Sequence, residues 1–381
     1  MKRILCVLFI AFFTVTLGLA QELKFDGYIN SGLGLVITDQ DDDAALRVFG
    51  VDSEQQGGRF RLNGAYTNAS KNAGANFRLQ LQGNNSSAGF GPSFVYGWIK
   101  PLDMLQIKAG IVDDSTWETA GQILKDDQGE GAGVLFRLTP INGLDIGFGA
   151  YVWAQSSGGN NNVFASPGIV QNWWDAKYTF MISYIMPDMF KINLNGRTYN
   201  NANNTTSARA IAEFRLLMVE NLTAVAEAEL DGLWTPADEY DAFGNTGSFN
   251  IFETVAYKMG GLNFGLNAAQ YISNDDTKED AGLRFSPWVS YSLNEGKLVP
   301  RLDLTYFLAG RKRTDGRYDR RTEFESVYNK DAYVFSVRPS IKFNPDSRNS
   351  FEIGDGFYYQ KPASGDGVIT NVFYLDFIFR F

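Results

Sequence analysis

The sequence predicts a transmembrane antiparallel β-barrel of about 18 strands, with 16 also open. Three observations carry this reading. The segment at the end of the chain is apolar on one face only, period-two alternation recurs along the whole length, and the connections between alternating segments sort into short and long sets. Successive side chains of a strand point to opposite faces, and a barrel in lipid needs apolar residues on one face and polar residues on the other.

Taken in order, residues 1–20 read as a secretory signal peptide. Met1-Lys2-Arg3 is followed by an apolar run from Ile4 to Leu17 and by Gly18-Leu19-Ala20, with cleavage expected before Gln21. The run is short of the ~20 residues that a membrane-spanning helix needs. Cys6, the only cysteine, sits at the start of that run and leaves with the peptide. Length alone suggests about two domains, yet no Pro/Ser-rich linker or shift in composition divides residues 21–381, which are read as one barrel domain.

Composition excludes several functions. The chain carries 34 basic and 43 acidic residues, a net charge of −9, and becomes more acidic once Lys2 and Arg3 are removed. That balance argues against a nucleic-acid partner. The chain has no histidine, the commonest general base and metal ligand. Barrel enzymes such as phospholipases and omptin-like proteases depend on histidine and are disfavoured. Neither catalytic residues nor a metal or other cofactor is expected.

The strands follow. Phe60, Leu62, Gly64 and Tyr66 alternate with Arg59, Arg61 and Asn63; Phe77, Leu79 and Leu81 alternate with Asn76, Arg78, Gln80 and Gln82. Leu105, Ile107, Ala109 and Ile111 alternate with Gln106 and Lys108. Similar segments run through Phe190–Arg197 and Leu222–Asp231. Soluble antiparallel sheets alternate too, so the connections decide. Tight joins occur at Lys100–Asp103, Pro187–Met189, Val219–Asn221, Met259–Gly261 and Asn294–Lys297. Long polar ones occur at Thr38–Gly57, Asp113–Glu130, Gln155–Asn172, Leu233–Thr246 and Gly310–Lys330. Short turns at one rim and long loops at the other are a barrel's arrangement, with both chain ends at the short-turn rim. Aromatic girdles are expected at both levels: Tyr184, Phe190, Phe343, Phe351 and Phe381 below, and Trp153, Trp173, Trp174, Tyr199, Tyr271 and Tyr333 above.

In the final strand, Phe373, Leu375, Phe377, Phe379 and Phe381 share one face, while Tyr374, Asp376 and Arg380 share the other. This segment resembles the terminal strand of bacterial outer-membrane proteins. The resemblance implies that these five residues form the signal read by the outer-membrane insertion machinery.

Sixteen to eighteen strands enclose more space than side chains can fill, which leaves an aqueous channel. The segment Leu105–Trp117 resembles the fifth strand and following loop of general porins. The resemblance implies that the next loop folds inward as a constriction. That loop carries Asp113, Asp114, Glu118, Asp126, Asp127 and Glu130 against the single Lys125. Neighbouring strands place Arg59, Arg61, Arg78, Lys108 and Arg137 on the lumen face, and an acidic loop opposite a basic wall would set up a transverse field. The competing reading leaves the loop outside and the arginines merely hydrating the lumen. Glu227, Glu229 and Asp231 are an alternative acidic counterpart. Asp41-Asp42-Asp43 lacks the spacing and glycine of a calcium loop and reads as a solvated acidic stretch. The basic residues of Gly310–Lys330 read as a charged surface loop.

The leading functional expectation is an outer-membrane diffusion channel for small hydrophilic solutes and ions. The chain resembles Gram-negative porins and, in its overall look, the porin-like outer-membrane proteins of spirochaetes. Expected partners are outer-membrane lipid, the insertion machinery and the permeating solutes, with a homotrimer open. The second reading is a sugar-type specific channel, for which Tyr151, Phe252, Phe307 and Tyr374 are lumen-facing aromatic candidates. The third is a surface adhesin or structural barrel acting through its long loops.

Overall fold

The computed structural model describes residues 20–38, 44–49, 59–83, 88–112, 131–152, 177–200, 206–231, 248–273, 281–308, 333–362 and 365–381. The first strands are β1 (Ala20–Thr38), β2 (Ala44–Phe49), β3 (Arg59–Asn68), β4 (Ala73–Gly83), β5 (Ala88–Leu102), β6 (Leu105–Val112), β7 (Gly131–Ile141), β8 (Leu144–Val152) and β9 (Lys177–Met186). They continue as β10 (Phe190–Asn200), β11 (Thr206–Leu216), β12 (Leu222–Asp231), β13 (Ser248–Met259) and β14 (Leu262–Ser273). The last are β15 (Ala281–Tyr291), β16 (Leu298–Leu308), β17 (Tyr333–Phe343), β18 (Ser350–Lys361) and β19 (Val368–Arg380).

From β3 onward each strand pairs antiparallel with its successor, and β19 returns to pair with β1 from Tyr28↔Arg380 to Thr38↔Thr370. The circuit of β1 and β3–β19 therefore closes on itself, which removes the free edges of an open sheet. On its other side, β1 pairs with β3 along Ala20–Asn30 and with β2 along Gly32–Ile37. Because β2 and β3 share one place in the circuit, the barrel has eighteen strand positions.

This differs from the expectation of one polar loop over Thr38–Gly57. β1 rises well past the start of β3, and its upper half would otherwise expose unpaired backbone groups, so Ala44–Phe49 turns back to cover them. The triplet Asp41–Asp43 lies outside the described residues.

The short joins, at 69–72, 103–104, 142–143, 187–189, 217–221, 260–261, 292–297 and 344–349, all fall at one rim. Asp188 (φ 58°) and Asn221 (φ 62°) take left-handed backbone there, which their short polar side chains tolerate. The expected long loops Asp113–Glu130, Gln155–Asn172, Leu233–Thr246 and Gly310–Lys330 connect strands at the opposite rim. They lie wholly outside the described residues. That rim also has brief connections, such as 201–205 between β10 and β11, so length alternates less strictly than expected.

Burial is inverted relative to a soluble protein. Phe25, Ile29, Leu33, Ile192, Leu194, Phe264 and Phe373 are exposed on the outer face, whereas Asn30, Thr179, Asn195, Glu213 and Ser336 are buried on the inner one. An apolar band this continuous is unstable against water and suits lipid. At the short-turn rim Phe190 packs between Tyr184 (6.4 Å) and Phe214 (6.0 Å). Phe351 lies between Phe343 (6.5 Å) and Phe379 (5.4 Å). Near the other rim Tyr333 bridges Tyr306 (6.1 Å) and Tyr359 (5.9 Å). Trp153, Trp173 and Trp174 lie outside the described residues.

Candidate functional site: the barrel lumen

Strand parity decides which side chains meet the lumen. On β1 the exposed apolar residues are Phe25, Ile29 and Leu33, so Asp26, Tyr28 and Asn30 point inward. Register then carries this parity around the wall. Tyr28 stands opposite Arg61, Asn63 opposite Arg78, and Arg78 opposite Phe94. Further round, Gln106 stands opposite Arg137. All five basic residues singled out from the sequence, Arg59, Arg61, Arg78, Lys108 and Arg137, take inward positions on β3, β4, β6 and β7.

Four of these cations have wall contacts that fix them in place. Arg61 donates from Nε to Oε1 of Gln80 and lies over the Tyr28 ring, 5.6 Å from its centroid. Arg78 donates to Asn63 Oδ1 at 2.9 Å and lies over Phe94 at 4.6 Å. Lys108 lies over Tyr96 at 5.0 Å. Arg137 binds both oxygens of Asp145, at 2.9 and 2.7 Å. Such contacts hold the charges at fixed depths and reduce the side-chain freedom that would otherwise blur the local field.

The acidic residues named as an alternative counterpart lie half a circuit away. Counting positions in either direction, β12 stands opposite β3. Glu227 and Glu229 are inward and buried there. Glu229 pairs with Arg209 of β11 at 3.0 Å and accepts from Asn250 Nδ2 of β13 at 3.1 Å. Glu213, opposite Glu227 in register, lies 3.9 Å from Lys191 and 4.0 Å from Arg215. The lumen thus carries a basic sector on β3–β7 and a mixed, carboxylate-containing sector on β10–β13. Asp113, Asp114, Glu118, Asp126, Asp127 and Glu130 lie outside the described residues.

Sequence reasoning missed a third sector. Arg301 of β16 grips Asp303 through two bonds, at 2.7 and 2.6 Å, and lies over Trp288 at 4.5 Å. Beside it Ser286, Thr305 and Ser336 are buried, with hydroxyl oxygens that have no protein partner; facing a channel, these suit water or a solute hydroxyl. Among the aromatic candidates, Phe252, Phe307 and Tyr374 hold inward positions. Phe252 and Phe307 pack about Ala269, while Tyr374 donates to Glu352 at 3.2 Å near β1, so the three form no continuous track. The side chain of Tyr151 lies outside the described residues.

On the last strand, Phe373, Leu375, Phe379 and Phe381 are exposed on the outer face, and Phe377 packs against Phe379 at 5.7 Å. Among the described residues no group of acidic, cysteine or histidine side chains is arranged to hold a metal.

No protein-family model matches the chain, and no curated sequence matches it significantly. Solved structures do. Pseudomonas aeruginosa OpdL superposes with a TM-score of 0.59 at 9% identity, covering 94% of this chain and 99% of that one. P. aeruginosa OprD gives 0.56 at 11% identity, covering 95% and 96%. The outer-membrane protein OpdK of the same organism gives 0.57 at 10% identity, covering 94% and 99%. At such low identity the likeness carries the architecture: this chain folds as a closed, eighteen-position antiparallel β-barrel of the kind those proteins share.

Proposed function

We propose that the protein is an outer-membrane porin, a water-filled channel for passive diffusion of small hydrophilic solutes and ions. The observation that carries this reading is the inverted barrel: an apolar exterior around an eighteen-position wall whose inner face is lined with fixed cations and carboxylates. A barrel of that size leaves space for water, and charge on its inner wall biases which ions enter. Residues 1–20 act as the export signal, and the outer-face residues Phe373 to Phe381 as the feature read by the insertion machinery. We read the Asp113–Glu130 segment, which follows the fifth strand position of the circuit, as a constriction loop facing Arg59, Arg61, Arg78, Lys108 and Arg137. The spirochaete-type likeness rests on composition and pattern alone, and a homotrimer on the general-porin resemblance alone.

Liposome swelling tests the function. Vesicles bearing the folded barrel are expected to swell in small sugars and amino acids at rates that fall with solute size. Vesicles that swell no faster than protein-free ones would refute the channel.

A further inference from the structure

A recess of about 400 Å³ opens in the lumen wall toward the short-turn rim, between β1 and β7. Its size lies within the ~300–1,000 Å³ range of small-molecule sites. It sits beside an aromatic series that the sequence reading did not identify: Phe94, Tyr96 and Trp98, every second residue of β5, step inward along one strand. Phe94 and Tyr96 are buried and carry Arg78 and Lys108 over their rings. Trp98 is half-buried and lines the recess.

Trp98 is placed by a glycine. It stands opposite Gly74 on β4, and a Cβ added there would meet the indole at 2.6 Å. One side of the ring therefore rests against β4. Trp288 is a built-in comparison: it sits opposite Gly265 in the same way, a Cβ there meeting it at 2.9 Å. The Trp288 ring, however, is covered by Arg301 at 4.5 Å, itself anchored to Asp303. Over the Trp98 ring lies the exposed Lys100, at 5.8 Å, and Lys108 stands opposite it in register. Two tryptophans share one seating; the Trp288 ring carries an anchored arginine, whereas the Trp98 ring carries the exposed Lys100 and borders the recess.

The chemistry around Trp98 is polar with its charges largely paired. Asn76, Gln106 and Thr67 line the recess; Asn76 Nδ2 donates to the Tyr96 hydroxyl at 3.0 Å. Glu22 is ion-paired with Lys24, and Arg137 with Asp145. A ligand that suits this wall has an apolar face for the indole and a rim of neutral groups that both donate and accept. An anionic aromatic acid would instead lean on the exposed Lys100 beside the ring, and benzoate is the probe that separates the two. We propose that the recess is a binding subsite for a neutral pyranose unit, its C–H face on Trp98 and its hydroxyls on the amides of Asn76 and Gln106.

The subsite rests on the channel reading, and its test separates the two. Maltotriose titrated calorimetrically into the detergent-folded barrel reads binding whether or not the barrel conducts; planar bilayers read both conduction and block. Saturable heat and a saturable loss of current are expected with maltotriose and not with benzoate. Trp98→Ala and Gln106→Ala should each raise the half-saturating concentration at least tenfold. Trp288→Phe should leave it unchanged, and gel mobility before and after boiling confirms the fold of every variant. Absence of saturable heat in folded wild type overturns the subsite, as does tighter binding of benzoate than maltotriose, or unaltered binding by folded Trp98→Ala. Saturable heat without any conductance supports the subsite and overturns the channel.

Discussion

Gly27 and Phe381 exchange two backbone hydrogen bonds, each N–H to the other's carbonyl at 3.1 Å, and the Phe381 ring occupies the space beside Gly27 where a Cβ would stand. That ring also stacks on Phe60 of β3 at 6.2 Å, with planes 20° apart. The seam between β19 and β1 is thus fastened at its lower end by a side chain that spans three strands. A Cβ on Gly27 would lie 2.6 Å from that ring and 2.3 Å from the Arg61 carbonyl. Overpacking of this kind costs ~1–3 kcal/mol. Gly27→Val is expected to lower the fraction of barrel that keeps its folded mobility on an unboiled gel, and Gly27→Ser to lower it less. Wild-type levels for Gly27→Val would remove the ring contact from the closure of the seam.

The same fastening gives Phe381 and Arg380 unequal roles. Phe381 faces outward, while Arg380 lies at the rim and donates to the Arg348 carbonyl at 3.2 Å. A charge placed on the lipid side near the interface costs ~0–1 kcal/mol, so the larger loss in Phe381→Asp should be in the rate of assembly. Pulse-chase assembly into membranes is expected to slow much more for Phe381→Asp than for Arg380→Asp. Equal rates would contradict this orientation.

The final strand was legible because its apolar face is unbroken: Phe373, Leu375, Phe377, Phe379 and Phe381 alternate with Tyr374, Asp376 and Arg380, with Ile378 the one apolar residue on the other face, and lipid on one side and lumen on the other demand that pattern. β2 was not, since six residues behind an aspartate triplet look like a loop until the unpaired upper half of β1 is seen. The inward positions of Arg61, Arg78 and Lys108 follow from strand parity. Their partners were not readable, because Arg61 meets Tyr28, and Arg209 meets Glu229, across strand pairs whose register only the fold defines. The Trp98 series escaped notice for a different reason. Gly89, Gly91 and Pro92 break the alternation, a bulge shifts the register between Arg78 and Leu79, and outward Val95 and Ile99 make both faces of that stretch apolar. The usable signal was Phe94-x-Tyr96-x-Trp98, read as a lumen-facing series.

The Arg209–Glu229 pair fixes the charge of the second sector. Truncating one partner of a buried pair leaves a charge uncompensated, at a cost of ~3–5 kcal/mol where water is excluded. Glu229→Gln is expected to shift the reversal potential toward anions and to lower resistance to denaturation. Arg209→Gln added to it should reverse most of both changes. Additive effects of the two substitutions would show that the pair is not energetically coupled.

At the short-turn rim Asp346 accepts backbone N–H bonds from Arg348 (2.7 Å) and Asn349 (2.9 Å), and the first of these leads in holding its carboxyl below the usual carboxylate range. A depressed folded pKa stabilises above the unfolded value of ~3.9 and loses that contribution as pH falls through the lower folded value. Unfolding should therefore accelerate with acidification below ~4 more in wild type than in Asp346→Asn. Parallel pH profiles would mean that this turn contributes nothing to the acid response.

The most direct test is a planar-bilayer recording with a salt gradient on the purified, folded barrel. Stepwise conductance is expected, with Arg61→Gln/Arg78→Gln moving the reversal potential toward cations and Asp113→Asn/Asp114→Asn moving it toward anions. Both shifts should shrink in molar salt, where the screening length is ~3 Å. Deleting residues 113–130 should raise the step size if that segment narrows the pore. Membranes that take up folded barrel and show no conductance steps would contradict the channel itself.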